Sequence, residues 1–344
     1  IFYHKSKLNN YLENLNEEQK LPVLHKDGPL IVIAGAGSGK TRVLTYRIIH
    51  LINEGVDPFN ILALTFTNKA ALEMKNRISL ITSESVSRNI WMGTFHSIFA
   101  RILRSEAPLI GYPSNFTIYD TYDSEKLISN IIKEKKLDKD TYKAKSIKNR
   151  ISSLKNNFIT VENYFNNSEL IEVDKAAKRD LFGEIYQEYV RRCFKASVMD
   201  FDDLLLKTNE LLNKSPETLL KYQQKFKYIL VDEYQDTNYS QYLIVKALAD
   251  RHENLCVVGD DSQSIYSFRG ANIGNILNFK KHYPNSISYK LEQNYRSTKN
   301  IVQAANSLIN HNILKLDKTI WTDNDVGDKI ILNKSLSDLS LIHI

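Results

Sequence analysis

"IVIAGAGSGKT", residues 31–41, runs three apolar residues of strand type into a loop of small residues and then into a helix-like pattern. The loop comprises Ala34, Gly35, Ala36, Gly37, Ser38 and Gly39, and it closes on Lys40 and Thr41. Glycines let the backbone curl so that successive N–H groups point inward at phosphate oxygens, and the helix N-terminus adds positive potential. In such a loop Lys40 neutralises the β and γ phosphates and the Thr41 hydroxyl ligates Mg²⁺, so the expected ligands are a nucleoside triphosphate and Mg²⁺. The pattern departs from G-x-x-x-x-G-K-[ST] at its first position, which is Ala34. The competing reading is a glycine-rich turn carrying an exposed lysine.

Outward from this stretch, further strand-like runs recur, each followed by a polar turn and a helical pattern: "ILALTFT", "IWMGTFH", "YILVDE" and "LCVVGDD". Strands alternating with helices predict an α/β fold, a parallel sheet with helices on both faces, with ligands beyond the carboxyl ends of the strands. Between about Pro108 and Ala196 the strand-type runs stop and Lys-, Asn- and Tyr-rich helical patterns take over. The expected organisation is therefore a first α/β part at 1–107, a helical insertion at 108–196, and a second part of the same α/β domain at 197–280. "SISYKLEQNYRS" then opens a second, truncated α/β unit at 281–338.

Acids are needed to hold the metal and activate water, and "YILVDEYQDTN" delivers them to a strand end. Asp232 is assigned to Mg²⁺ and Glu233 to polarising the attacking water as general base; the alternative is a solvated or helix-capping acid pair. In "VVGDDSQSIYSFRGA", residues 257–271, Gln263 is a candidate γ-phosphate sensor. Tyr266 and Phe268 either stack bases or belong to the core. "LEQNYRS" contributes Tyr295 and Arg296; an arginine here either reaches the γ-phosphate across a cleft or forms a surface ion pair.

The 344 residues are 42% hydrophobic, enough for two or more domains, and the net charge of +6 permits a polyanionic partner without demanding one. Two distant cysteines, Cys193 and Cys256, suit a reducing cytoplasm and are expected to be buried. No apolar run reaches membrane-spanning length. The start lacks Met, so the chain reads as a piece, and the last six residues, "LSLIHI" at 339–344, match one frame of a transposase mosaic-end adapter.

Taken together, "AGAGSGKT", "LALTFTNKAALEMKNRI", "GTFHSIFARIL", "LVDEYQDTN", "VVGDDSQSIYSFRGA" and "LEQNYRS" resemble motifs I, Ia, Ib, II, III and IV of the UvrD/PcrA/Rep family of superfamily-1 DNA helicases. "LNEEQ" resembles its Q motif, and the likeness runs from about Leu15 to Asp328. It implies a RecA-like P-loop NTPase domain, with Gln19 contacting the base of ATP, Tyr295 stacking on it, and Arg42, Gln263 and Arg296 joining Lys40 around the phosphates. It also implies a single-strand track over Phe66, Thr67 and Asn68, then Thr94, Phe95 and His96, then Tyr266 and Phe268, where Phe268 replaces a frequent Trp. "DFDDLL", 200–205, also recurs in that family and is given only capping and packing here. The basic insertion stretch 133–155 places Lys143, Lys145, Lys148 and Arg150 either near duplex phosphates or on a solvated face.

The function so implied is an ATP-dependent, 3′ to 5′ DNA helicase or translocase in repair or replication. Its partners would be single-stranded DNA, single/double-strand junctions, and repair or replication proteins. Motifs V and VI do not appear, so this piece alone is expected to be deficient. The rival readings are the helicase subunit of a recombination helicase–nuclease and a nucleotide-regulated, non-catalytic DNA-binding module.

Overall fold

The computed structural model describes residues 11–331, so the adapter-like stretch 339–344 lies outside the described residues. Six parallel strands form the main sheet: β1 (Leu30–Ala34), β2 (Ile61–Thr65), β3 (Trp91–Thr94), β6 (Tyr228–Val231), β7 (Leu255–Gly259) and β8 (Ile287–Leu291), in the order β3-β2-β6-β7-β1-β8. Each central strand is a continuous apolar run because both sheet faces are covered. The two-residue period sorts the side chains: Ile31, Ile33, Leu62, Leu64, Ile229 and Val257 enter one core, while Leu30, Val32, Ala63, Leu230 and Val258 enter the other. A register of Leu30 opposite Cys256 on one side and Ile287 on the other brings the carboxyl ends to one edge. β8, which opens the segment read from sequence as a second unit, is the sixth strand of this sheet.

The insertion is helical, with helices Thr121–Glu134, Ala144–Asn156, Val161–Phe165, Ser168–Ala176 and Phe182–Lys195 around a core that includes Ile131, Ile147, Phe182 and Tyr186. One strand does occur inside it: β4 (Thr117–Tyr119) pairs in parallel with β5 (Val198–Asp200). The expectation that strands stop from Pro108 to Ala196 is corrected here, since a three-residue strand is too short to display a period.

"DFDDLL" caps the helix Phe201–Lys214, with Asp200 accepting from the Asp203 N–H at 2.8 Å. It also does more than cap: the fully buried Lys155 ammonium lies 2.7 Å from Asp200 and 2.8 Å from Asp203, while Tyr189 donates to Asp200 at 2.8 Å. This ionic cluster fastens the insertion to the sheet domain. Cys193 and Cys256 are both buried and free. Among the described residues no helix is long and apolar enough to cross a membrane.

Candidate nucleotide and nucleic-acid site

The phosphate loop is shaped by its glycines. Gly37 (φ 69°) and Gly39 (φ 91°) take left-handed backbone conformations, and Gly39 caps the helix Lys40–Asn53. The side chain of Lys40 reaches the end of β6 and pairs with Glu233 Oε2 at 3.0 Å, while the Thr41 hydroxyl donates to Asp232 Oδ2 at 3.2 Å. Glu233 itself has φ 49°, a strained value for a residue with a β-carbon, and donates its N–H to Asp232 Oδ1 at 3.0 Å. Burial, followed by the neighbouring Glu233 charge, pushes the Asp232 carboxyl up to about 6, against the opposing pull of the Lys40 ammonium.

This is a nucleotide-loop lysine parked on an acid, with two hard oxygen donors beside it. Among the described residues no group of three or more His, Cys, Asp or Glu gathers to hold a metal ion. The Thr41 hydroxyl and the Asp232 carboxylate are oxygen donors of the kind that an ion such as Mg²⁺ would accept, and one or two such protein oxygens suffice for it.

The sequence reading of "YILVDEYQDTN" assigned roles to the two acids and missed Gln235. Gln235 is 1% exposed. Its Nε2 donates to Glu233 Oε2 at 2.9 Å, and its Oε1 accepts the Asp260 N–H at 3.0 Å. A buried, neutral amide thus links the acid at the end of β6 to the loop after β7. Gly259 makes room for it, because a β-carbon there would sit 2.6 Å from Gln235 Oε1. The only signal in the sequence was an uncharged polar residue between two acids. Gln263, expected at the γ-phosphate, donates its amide to Asp260 Oδ2 at 2.5 Å.

The residues attributed to base recognition gather on the other side of the loop. Gln19, the third residue of the helix Glu17–Leu24, is boxed by Asn16 and donates Nε2 to the Ser38 carbonyl at 3.0 Å. Asn16 donates to the Tyr295 hydroxyl at 2.6 Å, and the Tyr295 N–H donates to the Gly37 carbonyl at 3.0 Å. Arg42 is engaged elsewhere, with Nη2 on the Asn14 carbonyl at 2.5 Å and its guanidinium 5.6 Å from the Tyr46 ring centre. The Arg296 β-carbon abuts the position a Gly37 β-carbon would take, at 2.8 Å, so the loop and the end of β8 are in close contact.

A cleft of about 1110 Å³ opens beside these groups, lined by Glu233 and Gln263 and by Phe66, Thr67, Thr94, Phe95, His96, Tyr266 and Phe268. Seven of the eight residues expected on the single-strand track therefore share one cavity with two of the catalytic candidates, Glu233 and Gln263; Asn68 lies beside it on the first turn of the helix Asn68–Ile81. Thr67 and Thr94 each cap a helix by accepting an N–H, from Ala70 and Ser97 respectively. Phe268 is 76% and Tyr266 39% exposed, and their rings lie 5.9 Å apart. Phe95 differs: it is 1% exposed and packs on Phe66 and Phe99, so its ring serves the core. Burial lowers the His96 pKa, and its ring meets Phe201 edge-on.

The far wall of the cleft comes from the insertion helix and includes Lys148, Asn149 and Ser152. Of the four basic residues singled out there, Lys148 faces the cleft and Lys143 and Lys145 are exposed. Arg150 is instead committed to Asp174, through Nε and Nη2 at 3.0–3.2 Å.

Comparison with known proteins matches residues 15–284 to the UvrD/REP helicase N-terminal domain and residues 289–339 to the UvrD-like helicase C-terminal domain. The chain is 49% identical over 323 residues to a Bacillus subtilis protein, 47% over 317 residues to one from Leuconostoc citreum, and 46% over 335 residues to one from Staphylococcus epidermidis, each called ATP-dependent DNA helicase PcrA. These alignments cover 94%, 92% and 96% of this chain and 43%, 42% and 45% of the respective relatives. The chain thus spans less than half the length of the curated relatives it matches. With the phosphate loop, the paired acids and the shared cleft in place, and a family model covering most of its length, the chain belongs to the UvrD/REP helicase family.

Proposed function

We propose that this chain is the front part of an ATP-driven motor that moves 3′ to 5′ along single-stranded DNA and unwinds duplex at single/double-strand junctions. The observation that carries the reading is the single cleft, in which the acid expected to activate water, Glu233, opens onto the same space as Tyr266 and Phe268. ATP would bind through the loop 34–41, with Gln19 and Tyr295 at the base, Lys40 and Arg42 at the phosphates, Gln263 and Arg296 at the γ-phosphate, and Thr41 and Asp232 holding Mg²⁺. Such a metal would supply charge neutralisation at the phosphates. Glu233 must then release Lys40 to the phosphates and take a proton from the attacking water. Gln235 keeps its carboxylate oriented during that exchange.

Phe66, Thr67, Asn68, Thr94, His96, Tyr266 and Phe268 form the strand track, with Phe95 supporting it from below. Relatives named as DNA helicases support this assignment. A cytoplasmic setting and a role beside repair or replication proteins accord with the same relatives. The segment 281–338 is read as the threshold of the second motor domain, contributing β8 to the first. The test is unwinding by the protein extended to the length of its relatives: a duplex with a 3′ single-stranded tail is separated in the presence of ATP, and one with a 5′ tail is not. A preference for the 5′ tail contradicts the direction, and no separation of either contradicts the helicase reading.

A further inference from the structure

Lys318 belongs to the irregular segment that follows the helix Lys299–Ile309, yet its side chain is only 5% exposed. Its ammonium lies 3.0 Å from Asp260 Oδ1, contacts Asp261 as well, and donates to Ser262 Oγ at 3.0 Å. The Leu316 N–H adds a bond to the second Asp261 oxygen at 3.0 Å. A few residues on, the same segment is stitched to the end of β8. The Thr319 N–H donates to the Glu292 carboxylate at 2.7 Å, and the Trp321 N–H donates to the Glu292 carbonyl at 3.0 Å. Between them Ile320 sits against the phosphate loop, so close that a β-carbon on Gly35 would be 2.1 Å from its Cδ1.

Residues 316–321 thus run from the loop bearing Gln263 to the loop bearing the phosphate-binding glycines. Asp260 is shared at one end of this strap: its Oδ1 meets Lys318, and its Oδ2 accepts the Gln263 amide at 2.5 Å. If Gln263 turns toward a γ-phosphate, Oδ2 loses that donor. Lys318 then remains as the cation beside two buried carboxylates, and such a cluster is costly without its counter-charge.

We propose that Lys318 is a positioning residue that couples nucleotide occupancy of the phosphate loop to the placement of the DNA-facing loop Asp260–Gly270. The proposal rests on the ATP and DNA reading given above. It gives each ligand a distinct grip: nucleotide acts on Gln263 and on the loop packed against Ile320, DNA acts on the segment carrying Tyr266, and Lys318 joins the two movements. Without that joint the sites bind independently.

The test uses the 344-residue chain, a fluorescent oligothymidylate followed by anisotropy, and a non-hydrolysable ATP analogue with Mg²⁺. In the unaltered chain the analogue changes the oligonucleotide Kd by about fivefold or more. Lys318→Ala risks misfolding through two uncompensated acids, so the informative variant is Lys318→Met combined with Asp261→Asn, which preserves the net charge of the cluster. It is expected to melt cooperatively and to bind each ligand alone within about twofold of the unaltered chain, while the change in Kd falls to about one. Lys318→Arg, which keeps a bridging cation, retains the change. A folded double variant with an undiminished change overturns the proposal, and so does an unaltered chain that binds both ligands without mutual influence. If the unaltered chain binds neither ligand, the functional reading falls with it.

Discussion

Asp232 is at odds with its own surroundings: it is 2% exposed and adjacent to Glu233, and its carboxyl is pushed up to about 6. A carboxyl whose pKa is raised by folding binds its proton more tightly in the native state, so stability is greatest below the ordinary carboxylate pKa. It is lost as pH climbs through about 6, by on the order of 3 kcal/mol if the whole shift is realised. On the proposed assignment, a bound Mg²⁺ would reverse this by stabilising the charged form. Asp232→Asn is therefore expected to raise the melting temperature of the nucleotide-free protein at pH 7.5 and to flatten its dependence on pH between 5 and 7. The same change abolishes Mg²⁺-dependent nucleotide binding in calorimetry. A variant that melts lower at pH 7.5 would show that Asp232 is not held under this penalty.

At the scale of elements, the strand ends bring distant residues together, and two aromatic positions expected alike on the strand track separate. Tyr266 lines the cleft at the N-cap of the 3-10 turn Ser267–Arg269, while Phe95 lies under it in the core. Tyr266→Ala is expected to weaken single-strand binding by about 1–3 kcal/mol with little change in stability. Phe95→Ala is expected to cost about 3–5 kcal/mol of stability while the folded fraction keeps its DNA affinity. Anisotropy titrations read beside denaturant melts check both, and the opposite pattern would exchange the two roles. What was legible in the sequence follows this division. The phosphate loop, the acid pair and six strands announce themselves through local spacing and apolar runs. Gln235 with Asp260, Lys318 with Asp260 and Asp261, and Arg150 with Asp174 are separated by 24 residues or more in the chain or joined only by packing, so local pattern carries no trace of them. The capping role of "DFDDLL" was visible because a capping box is local, whereas its buried lysine, 45 residues upstream of Asp200, was not.

Across the whole molecule, the insertion and the sheet domain meet through Lys155, whose side chain is 0% exposed, and through the neighbouring Asn156, which bonds Asp202 and Asn238. Lys155→Met leaves Asp200 and Asp203 buried without their cation, and is expected to destabilise the chain by about 3–5 kcal/mol in urea melts. A loss below about 1 kcal/mol would mean that apolar packing alone carries the joint. That rigid joint sets the insertion helix opposite the strand track, and so gives the cleft two walls within one chain. The central claim is that this cleft unites an ATP-hydrolysing centre with a DNA-binding surface. ATP turnover tests it most directly, measured with and without single-stranded DNA for this chain and for the protein extended to the length of its relatives. The account predicts turnover that DNA stimulates in the extended protein, is lost in Glu233→Gln and Lys40→Ala, and is weak in the 344-residue chain. An extended protein that binds nucleotide and DNA yet turns over no ATP would contradict it.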